Sequence, residues 1–385
     1  MKQIYLDNQA TTPIDPKVFS AMEPWLIDKF GNAASRNHPY GWEAEEAVEI
    51  ARESVATIIG SLPKEIIFTS GATEANNLAL QGAARFYQDN GNHIITVNTE
   101  HKAILDVCRF LEREGFEITY LPVGKDGMLN LNRLEDAIKP DTILVSVMHV
   151  NNEIGLIHPI REIGSICKKK SIIFHVDAAQ SVGKIPVNVL DMGIDLLSIS
   201  AHKLYGPKGV GALYMRRKNP RAQLQPIIFG GGHERGIRSG TLPVHNIVGM
   251  GKTCDIAKDV MMEESQNIAS LRNQLLEAIM TDNPNVKING SLDRRIAGNL
   301  NMSFPGLNNE AIIAAVPEIA ISSGAACTTS TMEASHVLLA LGLSKVEAYS
   351  SLRFGIGRFN TEEDIETTIK AINRCMQKLQ KMSYA

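Results

Sequence analysis

Through the first half of the chain, short apolar runs alternate with stretches whose apolar positions recur every three to four residues. Runs over 65–68, 93–97, 117–121, 142–147, 172–176, 195–199 and 211–215 are too short for helices and rich in Ile, Val and Leu. They read as strands buried on both faces. Helical periodicity fills the intervals, for example over 43–59, 74–87, 101–114 and 131–138. Strands alternating with helices predict an α/β unit with a mostly parallel seven-stranded sheet covered on both sides. A helical pattern from 247 to 280 then leads into a different succession. It has short strands at 286–288 and 299–303, a helix near Glu310, a helix at 335–341 stopped by Gly342, and a strand at 351–359. A last helix opens at Thr361, with Glu362, Glu363 and Asp364 on its positive end. This second unit reads as a smaller α+β domain.

Composition narrows the class. At 385 residues the chain exceeds the roughly 250–300 at which a single core stops growing. Lys and Arg number 39 against 42 Asp and Glu, both signs interspersed, and Lys168-Lys169-Lys170 is a short helix-end run. No nucleic-acid footprint is expected. The start, Met1-Lys2-Gln3-Ile4-Tyr5-Leu6-Asp7, shows no apolar signal core, and no apolar stretch approaches a bilayer span, so a cytoplasmic protein is expected. Five cysteines without a C-x-x-C pair indicate neither a disulfide framework nor a structural zinc site. Cys108, Cys167, Cys254 and Cys375 lie in helical patterns and read as small buried hydrophobes. Cys327 lies in 322–331, a run of small and polar residues without period that reads as a mobile surface loop.

Two residues at strand ends carry the first chemistry. Lys203 closes the run from Asp195, and Asp177 closes the run from Ile172. In α/β enzymes chemistry gathers at such ends. An amine for a Schiff base and a carboxylate for a pyridinium nitrogen are what pyridoxal phosphate needs, and Ser200, His202 and Gln180 are neighbours in sequence. Taken singly, each is also explained as a solvated lysine or a helix cap. Ser70-Gly71-Ala72-Thr73 joins a strand to a helix, where backbone N–H groups and the helix dipole favour an anion. Ser200 and His202 are placed to donate to the same phosphate. Gly230-Gly231-Gly232 precedes no helix and Gly209-Val210-Gly211 precedes a strand, which argues against a nucleotide fingerprint. His101 follows a strand, where it can stack on a ring, move protons, or simply cap a helix. Asn152 also follows a strand, its amide suited to a cofactor oxygen or a substrate carboxylate. Alternation puts Arg353, Gly355 and Gly357 on one strand face, so the guanidinium projects over small neighbours that leave ligand space; a structural ion pair is the alternative. Cys327, set beside such a cofactor, suggests a thiol that carries sulfur away from a substrate.

Together these motifs resemble the cysteine desulfurases, class V-type enzymes of pyridoxal phosphate. The resemblance runs from Tyr5-Leu6-Asp7-Asn8-Gln9-Ala10-Thr11-Thr12 to 353–363, with the motifs in the family's order and spacing. The segment Gly324–Ser335 around Cys327 looks like the long-loop housekeeping and nitrogen-fixation branch. Gly324-Ala325-Ala326-Cys327 stands where relatives often have Gly-Ser-Ala-Cys, and relatives serving an iron–sulfur scaffold often carry a longer tail than the one ending at Ala385. The resemblance implies a type I pyridoxal phosphate transferase fold, with a large cofactor domain over 15–258. Residues 1–14 and 259–385 would form the small domain bearing the cysteine. It implies that Lys203 holds the cofactor, Asp177 its ring nitrogen and Gln180 its phenolic oxygen, while His101 stacks and assists proton transfer. Ala72, Thr73, Ser200 and His202 would hold the phosphate, joined by Thr241 from the partner of a homodimer. Asn152 and Arg353 would bind L-cysteine and Cys327 would take its sulfur. The sulfur would then pass to an acceptor protein for iron–sulfur assembly, tRNA thiolation or DNA modification. An aminotransferase or selenocysteine lyase, and a non-catalytic sulfur-relay or assembly protein, are the competing readings.

Overall fold

The computed structural model describes residues 3–218, 220–323 and 334–383. Seven strands form the main sheet: β1 (Ile66–Thr69), β2 (His93–Val97), β3 (Glu117–Leu121), β4 (Thr142–Ser146), β5 (Ile173–Asp177), β6 (Leu196–Ser200) and β7 (Gly211–Met215). Their spatial order is β1-β7-β6-β5-β4-β2-β3. All pairings are parallel except those of β7, which runs antiparallel to β1 and β6. Why the strands read as unbroken apolar runs is visible in how adjacent residues divide. Ile67, Ile94, Leu144, Ile173 and Leu196 pack on one side with Leu78 and Leu111. Their successors Phe68, Ile95, Val145, Phe174 and Leu197 pack on the other with Val48, Val55 and Ile163. Period-2 alternation thus fills two cores instead of one.

The covering helices are α1 (Pro39–Ile58), α2 (Ala72–Tyr87), α3 (Lys102–Arg113) and α4 (Ile160–Lys170). The long α5 (Val244–Asp282) gives Ile247, Met250, Cys254 and Ala257 to the large core. Its far end gives Leu275, Leu276 and Ile279 to a separate cluster, so one helix is shared by both units. That second cluster surrounds β8 (Lys287–Ile288), β9 (Asn299–Ser303) and β10 (Ser351–Gly355), antiparallel in the order β10-β9-β8, and α6 (Glu362–Ser383). The chain start joins it: Ile4–Tyr5 pairs in parallel with Ile319–Ala320, and Ile4 and Leu6 are buried there. The strand expected over 351–359 stops at Gly355, whose carbonyl accepts Asn8 N. The next residues then turn, with Gly357 N donating to Asn360 Oδ1. Cys108, Cys167, Cys254 and Cys375 are buried free thiols, as their helical setting led one to expect. Among the described residues no helix is long and apolar enough to cross a membrane.

Candidate active site

β5 and β6 are parallel neighbours with Asp177 opposite Ser198, so both chain exits lie at the same sheet edge. β5 ends on Asp177, and β6 runs on into a tight turn over Ala201–Lys203. Both oxygens of the buried Asp177 carboxylate are oriented: Oδ2 accepts Asn76 Nδ2 at 2.7 Å and Oδ1 accepts Ala179 N at 2.9 Å. A carboxylate has about four lone-pair sites, which leaves acceptor capacity at the edge. Lys203 Nζ donates to the carbonyls of Gln9 and Ala10, at 2.7 and 2.6 Å.

His101 is the N-cap of α3, its Nδ1 accepting Ala103 N at 3.1 Å. The ring is exposed. Desolvation lowers its pKa, Asp177 pulls it up and Lys203 pushes it down, so it lies in electrostatic reach of both. Behind it, the buried Glu100 accepts Met148 N at 2.5 Å. Burial, then the negative charge of Asp177, holds its carboxyl well above the usual range.

At the head of α2, Gly71 has φ +153, and a Cβ built there would meet nothing within 4 Å, so space lies open beside Ala72 and Thr73. Glu74 accepts Ser70 N at 2.8 Å and pairs with Arg238 at 2.7 Å, which ties this turn to the segment carrying Thr241. Thr241 itself is exposed. Ser200 is buried at the end of β6. The His202 ring meets Thr11 Oγ1 at 3.0 Å, and burial, then Lys203, lowers its pKa to about 4, which keeps the ring neutral. Gln180 donates through Nε2 to Gln9 O at 2.8 Å.

On the small-domain side, Arg353 of β10 is 3% exposed. Its two Nη groups donate to Asn152 O at 2.8 Å and to Asp7 Oδ1 at 2.7 Å, while Nε is buried without a partner among the described residues. The ligand space expected over Gly355 and Gly357 needs correction. A Cβ at Gly355 would lie 2.1 Å from Gln9 Oε1, and one at Gly357 would lie 2.6 Å from Asn8 Cγ. Those glycines admit the crossing segment Asp7–Gln9, a close backbone approach that their strand spacing alone does not distinguish from a pocket. Asn152 meets Arg353 through its carbonyl.

Cys327 lies outside the described residues. The described chain on either side is anchored nearby: Ser322 exchanges backbone hydrogen bonds with Arg353, and Ser335 donates to the Glu153 carboxylate beside Asn152. Reading the sequence missed Asn76, Glu100 and the carbonyls of Gln9 and Ala10. Asn76 was findable as a polar residue on the apolar face of α2, among Ala75, Leu78 and Ala79. The carbonyls had no signal, since any residue supplies one.

The donor set fits pyridoxal phosphate: an amine on a strand-end turn, an oriented carboxylate one strand away, and an open helix start. Residues 4–368 match the Aminotransferase class-V family. Cysteine desulfurase IscS of Glaesserella parasuis serovar 5 (strain SH0165) is 56% identical over 384 residues, covering 99% of this chain and 94% of its own. Among solved structures, a NifS-like protein has a TM-score of 0.91 at 36% identity, covering 97% of this chain and 99% of its own. SspA in complex with cysteine has a TM-score of 0.83 at 38% identity, covering 93% of this chain and 100% of its own. The chain belongs to the class-V aminotransferases, a family that works with pyridoxal phosphate. Within that family it is a cysteine desulfurase, an enzyme that removes sulfur from L-cysteine.

Proposed function

We propose that Lys203 holds pyridoxal phosphate covalently, with Asp177 at its ring nitrogen, and that L-cysteine yields its sulfur to Cys327 with release of L-alanine. The observation that carries this reading is the convergence of Asp177, His101 and Lys203 at the sheet edge where β2, β5 and β6 end, with Asp177 oriented by Asn76 and Ala179. When bound, the cofactor supplies an electron sink for the substrate α-carbon. The remaining work falls to the chain. Once the substrate amine takes its place on the cofactor, Lys203 would be a free amine beside the Gln9 and Ala10 carbonyls and would take the α-proton. Arg353 captures the substrate carboxylate by exchanging it for Asp7 and engaging its unpartnered Nε, with the Asn152 amide beside it. His101, kept neutral by desolvation, carries a proton between the thiol and the departing carbon skeleton. Cys327 Sγ attacks the substrate sulfur, so an S–S bond forms as the Cβ–S bond breaks. The bond's electron pair stays with carbon, which is protonated to alanine, and the enzyme keeps a persulfide; no outside oxidant is needed.

Ala72, Thr73, Ser200 and His202 would hold the phosphate at the head of α2, and Thr241 of the partner subunit would complete it. The proposed assembly is therefore a homodimer with shared sites. Residues 15–258 form the proposed cofactor domain, and 1–14 with 259–385 the proposed small domain. The persulfide passes to an acceptor protein serving iron–sulfur assembly or nucleic-acid thiolation. A cytoplasmic setting is supported by the buried, unpaired thiols Cys108, Cys167, Cys254 and Cys375, which suit a reducing compartment. The test is Cys327→Ser: the protein should keep its yellow chromophore and lose persulfide formation in a thiol-labelling assay. Undiminished desulfuration by this variant would remove Cys327 from the reaction.

A further inference from the structure

Lys184 has no part in the roles assigned above, yet it touches one of the site residues directly. Its Nζ donates to Gln180 Oε1 at 3.0 Å. In its ammonium form Lys184 has donors and no acceptor, so this contact sets Oε1 of the Gln180 amide toward it. Oε1 must point to Lys184, and Nε2 must point away. Nε2 in turn donates to Gln9 O, the carbonyl that also receives Lys203 Nζ. One backbone oxygen thus joins the amide and the amine that flank the proposed cofactor.

The surroundings make this more than an incidental lysine contact. Lys184 lines a cavity between the two units together with Gln9, Tyr205, Glu264 and Ile356. Glu264, the carboxylate there, is held by both ends of the Arg358 fork at 2.9 and 3.0 Å. Gln180 is 5% exposed, so its amide has little water to exchange with if the lysine is lost. Burial, then repulsion from Lys203, lowers the Lys184 amine to about 7, a desolvation cost that an apolar side chain at this place would not carry.

We propose that Lys184, in its ammonium form, is a positioning residue for the cofactor, holding the Gln180 amide so that its N–H is presented on the Lys203 side. This rests on the reading that Gln180 meets the cofactor's phenolic oxygen. A flipped amide would set Oε1 against the Gln9 carbonyl and against that oxygen, acceptor facing acceptor.

The experiment compares holoenzymes carrying Lys184→Met, Lys184→Arg, Gln180→Ala and the double change K184M/Q180A. The readouts are the pH titration of the visible chromophore and cofactor affinity by equilibrium dialysis. K184M and Q180A should shift the titration in the same direction and weaken affinity by about tenfold, the scale of one hydrogen bond to a charged group. The double variant should add little to either, and K184R should behave as the unaltered protein. If K184M does not fold, Lys184→Gln takes its place. An amide there both donates and accepts, so it no longer dictates the Gln180 orientation and should give the same shift. A shift in Q180A with none in the Lys184 variants would overturn the inference. No shift in Q180A itself would instead sink the reading that Gln180 meets the cofactor.

Discussion

Arg52 and Arg353 are both buried against a carboxylate, and they are completed differently. Each nitrogen of the Arg52 guanidinium meets protein. Nε meets Glu49 at 2.9 Å, one Nη reaches Ile66 O and Glu234 Oε2 at 2.9 and 2.8 Å, the other reaches Glu234 Oε1 at 2.8 Å, and the Phe68 ring lies 4.7 Å away. Glu234 also accepts Phe68 N at 2.7 Å. This saturated pair pins a turn in which Glu234 and Arg235 hold left-handed backbone (φ 46 and 59) that non-glycine residues rarely adopt. Among the described residues Arg353 makes two contacts and leaves Nε without a partner. A guanidinium that the fold has finished holds structure; one the fold leaves unfinished keeps a donor for something else.

The first way to break that comparison is to remove the carboxylate of the saturated pair. Glu234→Ala leaves Arg52 buried and uncompensated, and a broken buried pair typically costs about 3–5 kcal/mol. Denaturant unfolding should show a loss of that size. A loss under about 1 kcal/mol would mean that the turn holds itself and that saturation says nothing about structural weight. Arg353→Lys should do the reverse. A lysine keeps charge but loses the planar fork, so kcat/KM for L-cysteine should fall about a hundredfold, while stability changes less than in E234A. Equal stability losses in the two variants would erase the distinction.

How far this distinction was legible beforehand depends on which atoms carry it. The sheet was readable because each strand fills two cores, which leaves continuous runs such as Ile66–Phe68 with no polar interruption to misread. Asp177 and Lys203 were readable because a polar residue ending such a run marks the sheet edge. Arg353 was singled out, but its surroundings were not. Gly355 and Gly357 look alike whether they face a ligand or a backbone, and here they face Asn8 and Gln9 from some 350 positions away in sequence. That crossing segment and the residue after it, Ala10, also supply the carbonyls that hold Lys203, and carbonyls leave no trace in side-chain identity. Asn76 was legible in principle, because a fully buried amide on an apolar helix face needs a partner.

His175 extends the saturated class to a titratable group. It is fully buried on β5, with its ring nitrogens at Ser146 Oγ (2.9 Å) and Ser198 Oγ (3.0 Å). Burial lowers its pKa to about 3 from an ordinary 6.5. The folded protein therefore keeps it neutral while the unfolded chain protonates it below pH 6.5. Its contribution is complete above that pH and is lost as pH falls toward 3, with a limiting slope of about 1.4 kcal/mol per unit. His175→Asn should be less stable than the unaltered chain at pH 7, and the gap should narrow by roughly that slope between pH 6 and 4.5. A gap independent of pH would show that the ring protonates within the fold.

The smallest effect is the one closest to the comparison. Asp7, 17% exposed at its side chain, occupies the Arg353 fork that, in the proposed function, the substrate carboxylate would enter. If the pair is an unfinished one held ready, its carboxylate competes with the ligand, and weakening it should help binding. Asp7→Asn keeps an acceptor oxygen for Arg353 but removes the charge, so the apparent Kd for L-cysteine in the C327S background should fall about fivefold, close to 1 kcal/mol. Stability should drop by a similar amount, because a partly exposed pair carries little net energy. A weaker Kd would reverse the meaning of the contact: Asp7 would then be a brace that aims the guanidinium, and Arg353 would differ from Arg52 only in how many donors the fold had spent.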